Sequence, residues 1–117
     1  MAGYNPGKLL GKAAGAGGTT NVTLYNLGTD SPATNAVLSC IKAVNKDAAA
    51  QTIRIAVGAT STSPGSTEWD VYDWSIDPKD TLTLCEGLCL DATNKYIIVT
   101  ASDTDVHFKV YGAVYLP

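Results

Sequence analysis

Residues 51–58 read QTIRIAVG, and this stretch decides the fold. Ile53, Ile55 and Val57 occupy every second position, with the polar or small residues of the stretch between them. Because successive side chains on a β-strand point to opposite faces, this alternation predicts a half-buried strand with its apolar side inward.

Residues 106–111, VHFKVY, alternate in the same way. Further runs rich in Val, Ile, Thr and Tyr recur at intervals of about ten residues, separated by Gly, Pro, Asn, Asp and Ser clusters. Together the runs predict strands at 21–27, 36–44, 51–58, 67–75, 81–84, 95–101 and 106–116. Short strands with this spacing are typical of an all-β sandwich or barrel, and seven are enough for two packed sheets. We therefore expect an all-β fold, a single antiparallel β-sandwich of immunoglobulin-like or jelly-roll-like type with about seven strands.

The run 36–44 alternates less cleanly. With Lys42 in solvent, the inward residues are Val37, Ser39, Ile41 and Ala43, and the opposite side carries Leu38, Cys40 and Val44. Two alternatives follow: the strand is central and covered on both faces, or one face meets a partner.

The first 18 residues differ from the rest, since six of them are Gly and few are large and apolar. Such a composition buries too little surface to offset the entropy of ordering. The sequence therefore predicts an extended N-terminal arm at 1–18 and a β-sandwich domain at 19–117. Either Tyr4, Leu9 and Leu10 anchor the arm on a neighbouring subunit, or the arm folds back over its own domain.

The length and charge of the chain argue against several kinds of partner. A chain of 117 residues is one domain, and its net charge of −3 comes with no run of Lys and Arg. Nucleic acid is therefore not an expected partner. No apolar run approaches the length that spans a bilayer, and no signal peptide is visible, so we expect no membrane partner and synthesis in a cytosol.

The three cysteines are Cys40, Cys85 and Cys89. An odd number without metal-ligand spacing does not suit a secreted disulfide framework, and we expect mostly buried thiols. A disulfide between Cys85 and Cys89 stays open if the strand geometry brings them together in an oxidising setting.

No catalytic constellation is visible. His107 is the only imidazole, and no G-x-S-x-G motif accompanies it. Asp70, Asp73, Asp77 and Asp80 lack the alternate spacing and terminal Glu of an EF-hand calcium loop. We expect no enzyme, and no catalytic, metal or cofactor-binding residues.

The aromatic residues are more informative. Trp69, Tyr72 and Trp74 fall in one strand, where alternation puts Tyr72 with Trp74 on one face and Trp69 with Val71 on the other. Since both faces would carry large apolar groups, one of them is a candidate interface, unless the arm or a loop covers it. Tyr111 and Tyr115 are weaker candidates of the same kind.

Several motifs carry a resemblance to a family. They are LLG at 9–11, TxxTLYxL at 20–27, AVLSCIxAxNK at 36–46, TIRIAV at 52–57, DPKDTLTL at 77–84 and VHFKVYGAV at 106–114. The pattern spans nearly the whole chain and resembles small virion structural proteins of tailed bacteriophages.

The resemblance implies a non-enzymatic β-sandwich subunit that is made in the host bacterial cytoplasm and assembles, commonly as a homotrimer, on the virion. Its partners would be further copies and the major capsid protein or other virion proteins. Capsid decoration or cementing of the head shell is the expected role, with a tail-fibre or baseplate accessory protein as the alternative. A carbohydrate-binding β-sandwich with Trp69, Tyr72 and Trp74 as its stacking platform is a second alternative.

Overall fold

The structure is a computed structural model that describes residues 4–18 and 20–116, with side chains from residue 8 onward. Its strands are β1 (Tyr4–Ala14), β2 (Val22–Asn26), β3 (Asn35–Asn45), β4 (Gln51–Gly58), β5 (Trp69–Ile76), β6 (Thr81–Leu84), β7 (Cys89–Leu90), β8 (Tyr96–Ala101) and β9 (Val106–Tyr115). One turn of 3₁₀-helix, Leu27–Asp30, follows β2. Seven strands lie within two residues of their predicted bounds, and β1 and β7 are additional.

The strands form two antiparallel sheets that pack as a sandwich. The five-stranded sheet has the order β1-β9-β3-β6, with β7 also paired to β3. The four-stranded sheet has the order β2-β8-β4-β5. The predicted antiparallel β-sandwich is therefore confirmed.

The core lies between the sheets and follows the period-two pattern. In β9, Val106, Phe108 and Val110 are buried while His107 and Lys109 are exposed. In β4, Ile53 and Ile55 are buried and Val57 packs partly against the same core. These inward faces are those that the alternation predicts, because only one side of each strand can meet the opposite sheet.

Strand β3 departs from strict alternation because it contains a β-bulge. Leu38 lies opposite Gly112 and Cys40 lies opposite Tyr111, so that Ser39 is an extra residue. An extra residue inverts the faces on either side of it. Ala36 and Leu38 are buried before the bulge, and Ile41, Ala43 and Asn45 after it. The inward placement of Val37 and Ser39 was therefore wrong, since both are exposed.

Residues 4–14 form β1, which pairs with β9 at the edge of the five-stranded sheet. It passes β2 so closely that a Cβ at Gly11 would clash with the backbone carbonyl of Leu24. Packing along its own domain was one of the two alternatives for this segment. Residues 1–3 of the predicted arm lie outside the described residues, and the domain boundary after residue 18 stays a prediction.

The two sides of the sandwich differ. On one side β1 lies against β2, so the five-stranded and four-stranded sheets meet along these edges. On the other side the edge strands β5 and β6 leave a cleft, with the inter-sheet side chains of Leu82 and Leu84 only partly buried. The apolar interior is therefore closed at β1/β2 and reaches the surface at β5/β6.

The cysteines do not behave as expected. Cys40 forms a disulfide with Cys85, and Cys89 is an exposed thiol. The β3–β6 register explains the pairing: Ile41 lies opposite Leu84, which brings the neighbouring residues 40 and 85 together across the sheet. The expectation of mostly buried thiols was wrong, and the open Cys85–Cys89 alternative is not the pair that forms.

Candidate interaction surface

Strand β5 carries the aromatic residues, and its register with β4 decides where they point. Ile53 lies opposite Trp74 and Ile55 lies opposite Val71. One residue of β4 therefore faces two of β5, Tyr72 and Asp73, and Asp73 adopts a left-handed φ of 53°. This bulge changes the faces of the strand.

The aromatic residues are consequently grouped differently from the prediction. Trp69 and Tyr72 contact each other edge to face, with ring centroids 5.6 Å apart and planes at 71°. Trp74 lies on the side of Val71 and lines the β5/β6 cleft. A second extra residue, Asp70, lies between Val71, which is opposite Ile55, and Trp69, which is opposite Ala56. Placing Tyr72 with Trp74, and Trp69 with Val71, was therefore wrong, because strict alternation ignores both irregularities.

Arg54 of β4 organises the outer aromatic pair. Its Nε donates to Oδ1 of Asp73 at 2.7 Å, and its Nη2 donates to Oδ2 at 3.3 Å. The guanidinium carbon lies 4.1 Å from the ring centroid of Tyr72 and 5.9 Å from that of Trp69. We call these four residues the Arg54 cluster. A cation–π contact and a forked ion pair on one guanidinium position the Tyr72 ring.

Within the Arg54 cluster, Arg54 and Asp73 each stabilise the charged form of the other. The hydrogen bond from Arg54 lowers the pKa of the Asp73 carboxyl below its usual value. The same bond raises the pKa of the Arg54 guanidinium. Tyr72 is nevertheless 58% exposed, so the cluster presents a positioned aromatic ring to solvent.

The β5/β6 cleft is the second apolar feature of this side. It has a volume of about 300 Å³, and its apolar walls are Val71, Trp74, Leu82 and Leu84. Trp74 is 55% exposed although it stands on the core side of its strand, because the cleft between β5 and β6 leaves it open to solvent. The Arg54 cluster and this cleft meet at Tyr72, which lines the cleft as well.

The other predicted interface residues lie elsewhere. Leu9 is exposed on β1 opposite Tyr111 of β9, and Tyr115 is exposed at the end of β9. Leu10 packs against the protein's own core. The side chain of Tyr4 lies outside the described residues. The structure therefore separates the candidates into one group on β5 and one on the outer face of the five-stranded sheet.

That outer face also carries a feature that sequence reasoning missed. Lys12 of β1 and Lys42 of β3 both lie opposite Lys109 of β9, and all three side chains are exposed. The residues are far apart in the sequence, so no run of basic residues reveals the row. We call these three residues the lysine row.

The loop at residues 59–66 is held in place at both ends. The Glu68 carboxylate accepts hydrogen bonds from the backbone N–H groups of Ala59, at 3.1 Å, and Gly65, at 2.7 Å. The Asn21 side chain donates to the carbonyl of Thr62 at 2.6 Å. The loop is therefore fastened across to the segment that precedes β2.

The remaining chemistry is sparse. His107 is exposed on β9 between Ala14 and Val44 of the neighbouring strands. No group of three or more metal-ligating side chains occurs among the described residues. Within the same part of the chain, no helix has the length and apolarity needed to cross a bilayer. The near-perpendicular Trp69 and Tyr72 rings, with Trp74 in a separate cleft, do not form one flat sugar-stacking platform.

Comparisons with known proteins give likeness of fold only. No protein-family model and no curated protein sequence matches the chain. A chain in the structure of infectious bursal disease virus, Gx strain, is similar with a TM-score of 0.52 and 8% identity, over 99% of this chain and 33% of that one. A nora virus chain has a TM-score of 0.49 and 8% identity, over 97% and 58% of the two chains.

A third solved structure, the capsid asymmetric unit of cyanophage Pam1, has a TM-score of 0.48 and 16% identity, over 99% of this chain and 86% of that one. The chain thus spans one third of the bursal disease virus chain and 58% of the nora virus chain. At 8% identity, the first of these likenesses shows a shared β-sandwich fold.

Proposed function

We propose that this protein is a non-enzymatic structural subunit of a virus particle, and that it decorates and cements the head shell of a tailed bacteriophage. One solved chain of similar fold is in the structure of infectious bursal disease virus. The motifs that resemble virion proteins of tailed phages support the finer assignment. An exposed aromatic surface that binds a partner without catalysing a reaction is consistent with a virion structural role and with the cement role.

The observation that carries the proposal is the exposed aromatic surface of β5. Tyr72 and Trp74 are each more than half exposed on an edge strand, beside a cleft of about 300 Å³ with apolar walls. Aromatic side chains in such positions are typical of the centres of protein interfaces. Withdrawing each 100 Å² of apolar surface from water stabilises a complex by about 2.5 kcal/mol before association costs.

Arg54 makes this surface suited to docking. Because the ion pair with Asp73 already holds the guanidinium against Tyr72, the ring loses little further freedom when a partner covers it. We therefore propose the Arg54 cluster and the β5/β6 cleft as the surface that grips the shell. Other virion proteins, with the major capsid protein first, are the proposed partners.

Fractionation of particles tests the location. Heads and tails are separated from purified virions, and mass spectrometry determines which fraction contains the chain. Recovery with heads supports the cement role. Recovery with tails overturns it in favour of the tail-fibre or baseplate alternative, and absence from both fractions overturns the virion role.

A substitution tests the surface. We expect Tyr72→Ala with Trp74→Ala to lower incorporation into particles at least tenfold, with the isolated domain still folded by circular dichroism. Val37→Ala is the matched control, because Val37 is an exposed apolar residue on the opposite sheet. Deletion of residues 1–18 is less informative, since it removes β1 and uncovers the edge of β9.

A further inference from the structure

The three positive charges of the lysine row have no ion-pair partner among the described residues. Directly opposed residues on antiparallel strands have Cβ atoms about 4.5–5.5 Å apart, and like charges there are destabilising. Lys109 has such a neighbour on both sides, Lys12 and Lys42. Among the described residues the one ion pair is Arg54–Asp73, on the other sheet.

The surrounding sheet offers no counter-charge. Strands β1, β3, β6, β7 and β9 contain four of the eight Lys and Arg residues of the chain and none of its eleven Asp and Glu. A chain with net charge −3 therefore has one cationic face. Such separation of charge guides association and selects partners more than it stabilises the fold.

The acidic residues are concentrated elsewhere. Residues 68–91 contain seven of the eleven Asp and Glu and one Lys. Glu68, Asp70 and Asp91 line a pocket of about 360 Å³ between β4, β5 and β7. We call Glu68, Asp70, Glu86 and Asp91 the acidic edge.

Asp70 indicates that the acidic edge also lacks a counter-charge. Burial, and then the nearby Glu86 carboxylate, raise the pKa of Asp70 above its usual value. In contrast, Asp73, three residues along the strand, has its pKa lowered by Arg54. A cation placed beside Asp70 would relieve a repulsion that the isolated chain retains.

We propose that the lysine row of one copy docks on the acidic edge of a second copy of this chain. The two surfaces are complementary in charge and lie on different sides of the same molecule, and neither forms an ion pair among the described residues. The contact is thus heterologous, which builds a closed ring such as a trimer where the rotation closes and a lattice where it does not. This self-contact deepens the proposed structural role and rests on it.

Two charge-reversed variants test the contact. Variant one carries Lys42→Glu and Lys109→Glu, and variant two carries Asp70→Lys and Glu86→Lys. Each is measured by sedimentation velocity at low and high salt, alone and mixed, beside the wild-type chain. Lys95→Glu serves as a matched control, because Lys95 lies outside the five-stranded sheet, next to β8.

The heterologous geometry gives a distinctive result. Wild-type chain and the Lys95→Glu control self-associate at low salt and dissociate as salt screens the contact. In variant one the row has a net charge of −1 and faces the negative acidic edge, and in variant two the edge has a net charge of zero and no longer attracts the lysine row. The dissociation constant of each variant alone therefore rises at least tenfold. The mixture retains one intact pair, the acidic edge of variant one with the lysine row of variant two. The reversed row of variant one and the reversed edge of variant two also carry opposite charges at the substituted positions, so the two variants associate with each other as heterodimers and larger mixed assemblies.

Three outcomes overturn the inference: a wild-type chain that stays monomeric at low salt, a variant that associates like the wild type, or a mixture without heterodimers. Duplex DNA is included as a competing anion. If the wild type binds it through the lysine row and does not self-associate, the row belongs to a nucleic-acid site instead. Particle fractionation is scored separately, so failure of self-association leaves the virion role standing, and absence from particles leaves the self-contact standing.

Discussion

The side-chain amide of Asn45, at the end of β3, donates a hydrogen bond to the backbone carbonyl of Ile76, at the end of β5, at 3.1 Å. It also contacts the carbonyls of Ala49 and Asp77, and its Oδ1 accepts from the N–H of Asp47. Asn45 is fully buried. One side chain therefore joins the β3–β4 turn to the β5–β6 turn across the two sheets.

Asn45→Ala tests this link. The substitution leaves buried carbonyls without a donor, and each costs about 1–3 kcal/mol. We expect the free energy of unfolding to fall by about 2–4 kcal/mol in urea denaturation at an unchanged m-value. Asn35→Ala, at the exposed start of the same strand, is the control and should change stability by less than about 0.5 kcal/mol. Equal effects of the two substitutions would show that the link contributes little.

The sequence predicts the sandwich well because burial is periodic in most strands. Phe108 and Ile53 point inward in strands, β9 and β4, that contain no extra residue of their own in these pairings. The pattern fails at Ser39 of β3 and at Asp70 and Asp73 of β5, where an extra residue changes the faces of the strand. The uneven alternation of 36–44 was the available signal of a bulge, but it does not say which residue is extra.

The surfaces depend on long-range register, which the sequence does not display. Lys12, Lys42 and Lys109 become neighbours only through the order β1-β9-β3. Cys40 and Cys85 meet only through the β3–β6 pairing. The composition of residues 1–18 predicts an arm because it takes no account of the rest of the chain. In the structure, the edge of β9 supplies the hydrogen-bond partners of β1, residues 4–14.

Gly11 provides a test of the position of β1. In Gly11→Ala the new methyl group would clash with the carbonyl of Leu24, so β1 must move away from β2. We expect a loss of about 1–3 kcal/mol in stability and faster amide exchange along β1. Ala14→Val adds bulk at an exposed position of the same strand and should leave exchange unchanged. Unaltered exchange in Gly11→Ala would mean that β1 is not packed against β2.

The Cys40–Cys85 disulfide closes a loop with a sequence separation of 45. In the chain-entropy estimate a loop of this length stabilises the folded state by about 4 kcal/mol, and measured values are typically about 2–4 kcal/mol. We expect Cys40→Ser with Cys85→Ser to lower the unfolding free energy by that amount, and dithiothreitol to bring the wild type to the same value. Cys89→Ser should have no effect. One reactive thiol per oxidised chain is the expected titration result, and three would contradict the pairing.

Asp73 and Asp70 should give the stability opposite dependences on pH. Arg54 lowers the pKa of Asp73 below its usual 3.8, so the ion pair stabilises the fold above pH 3.8 and is lost as the pH falls through the lowered value. Burial and Glu86 raise the pKa of Asp70, so the folded state holds that proton more tightly than the unfolded chain. Stability from Asp70 is thus present at low pH and is lost as the pH rises above 3.8 through the raised value.

Two amide variants separate these effects in thermal melts at pH 7 and pH 3. Asp70→Asn removes a repulsive charge, so we expect a higher Tm than the wild type at pH 7. The gain is equivalent to no more than about 1 kcal/mol, because the carboxylate is only partly desolvated and water still screens the repulsion. The difference should vanish at pH 3, where the wild-type carboxyl is protonated. Asp73→Asn should lower the Tm at pH 7 and approach the wild type at pH 3. If Asp70→Asn lowers the Tm at pH 7, the carboxylate has a favourable partner, and the acidic edge does not lack counter-charge.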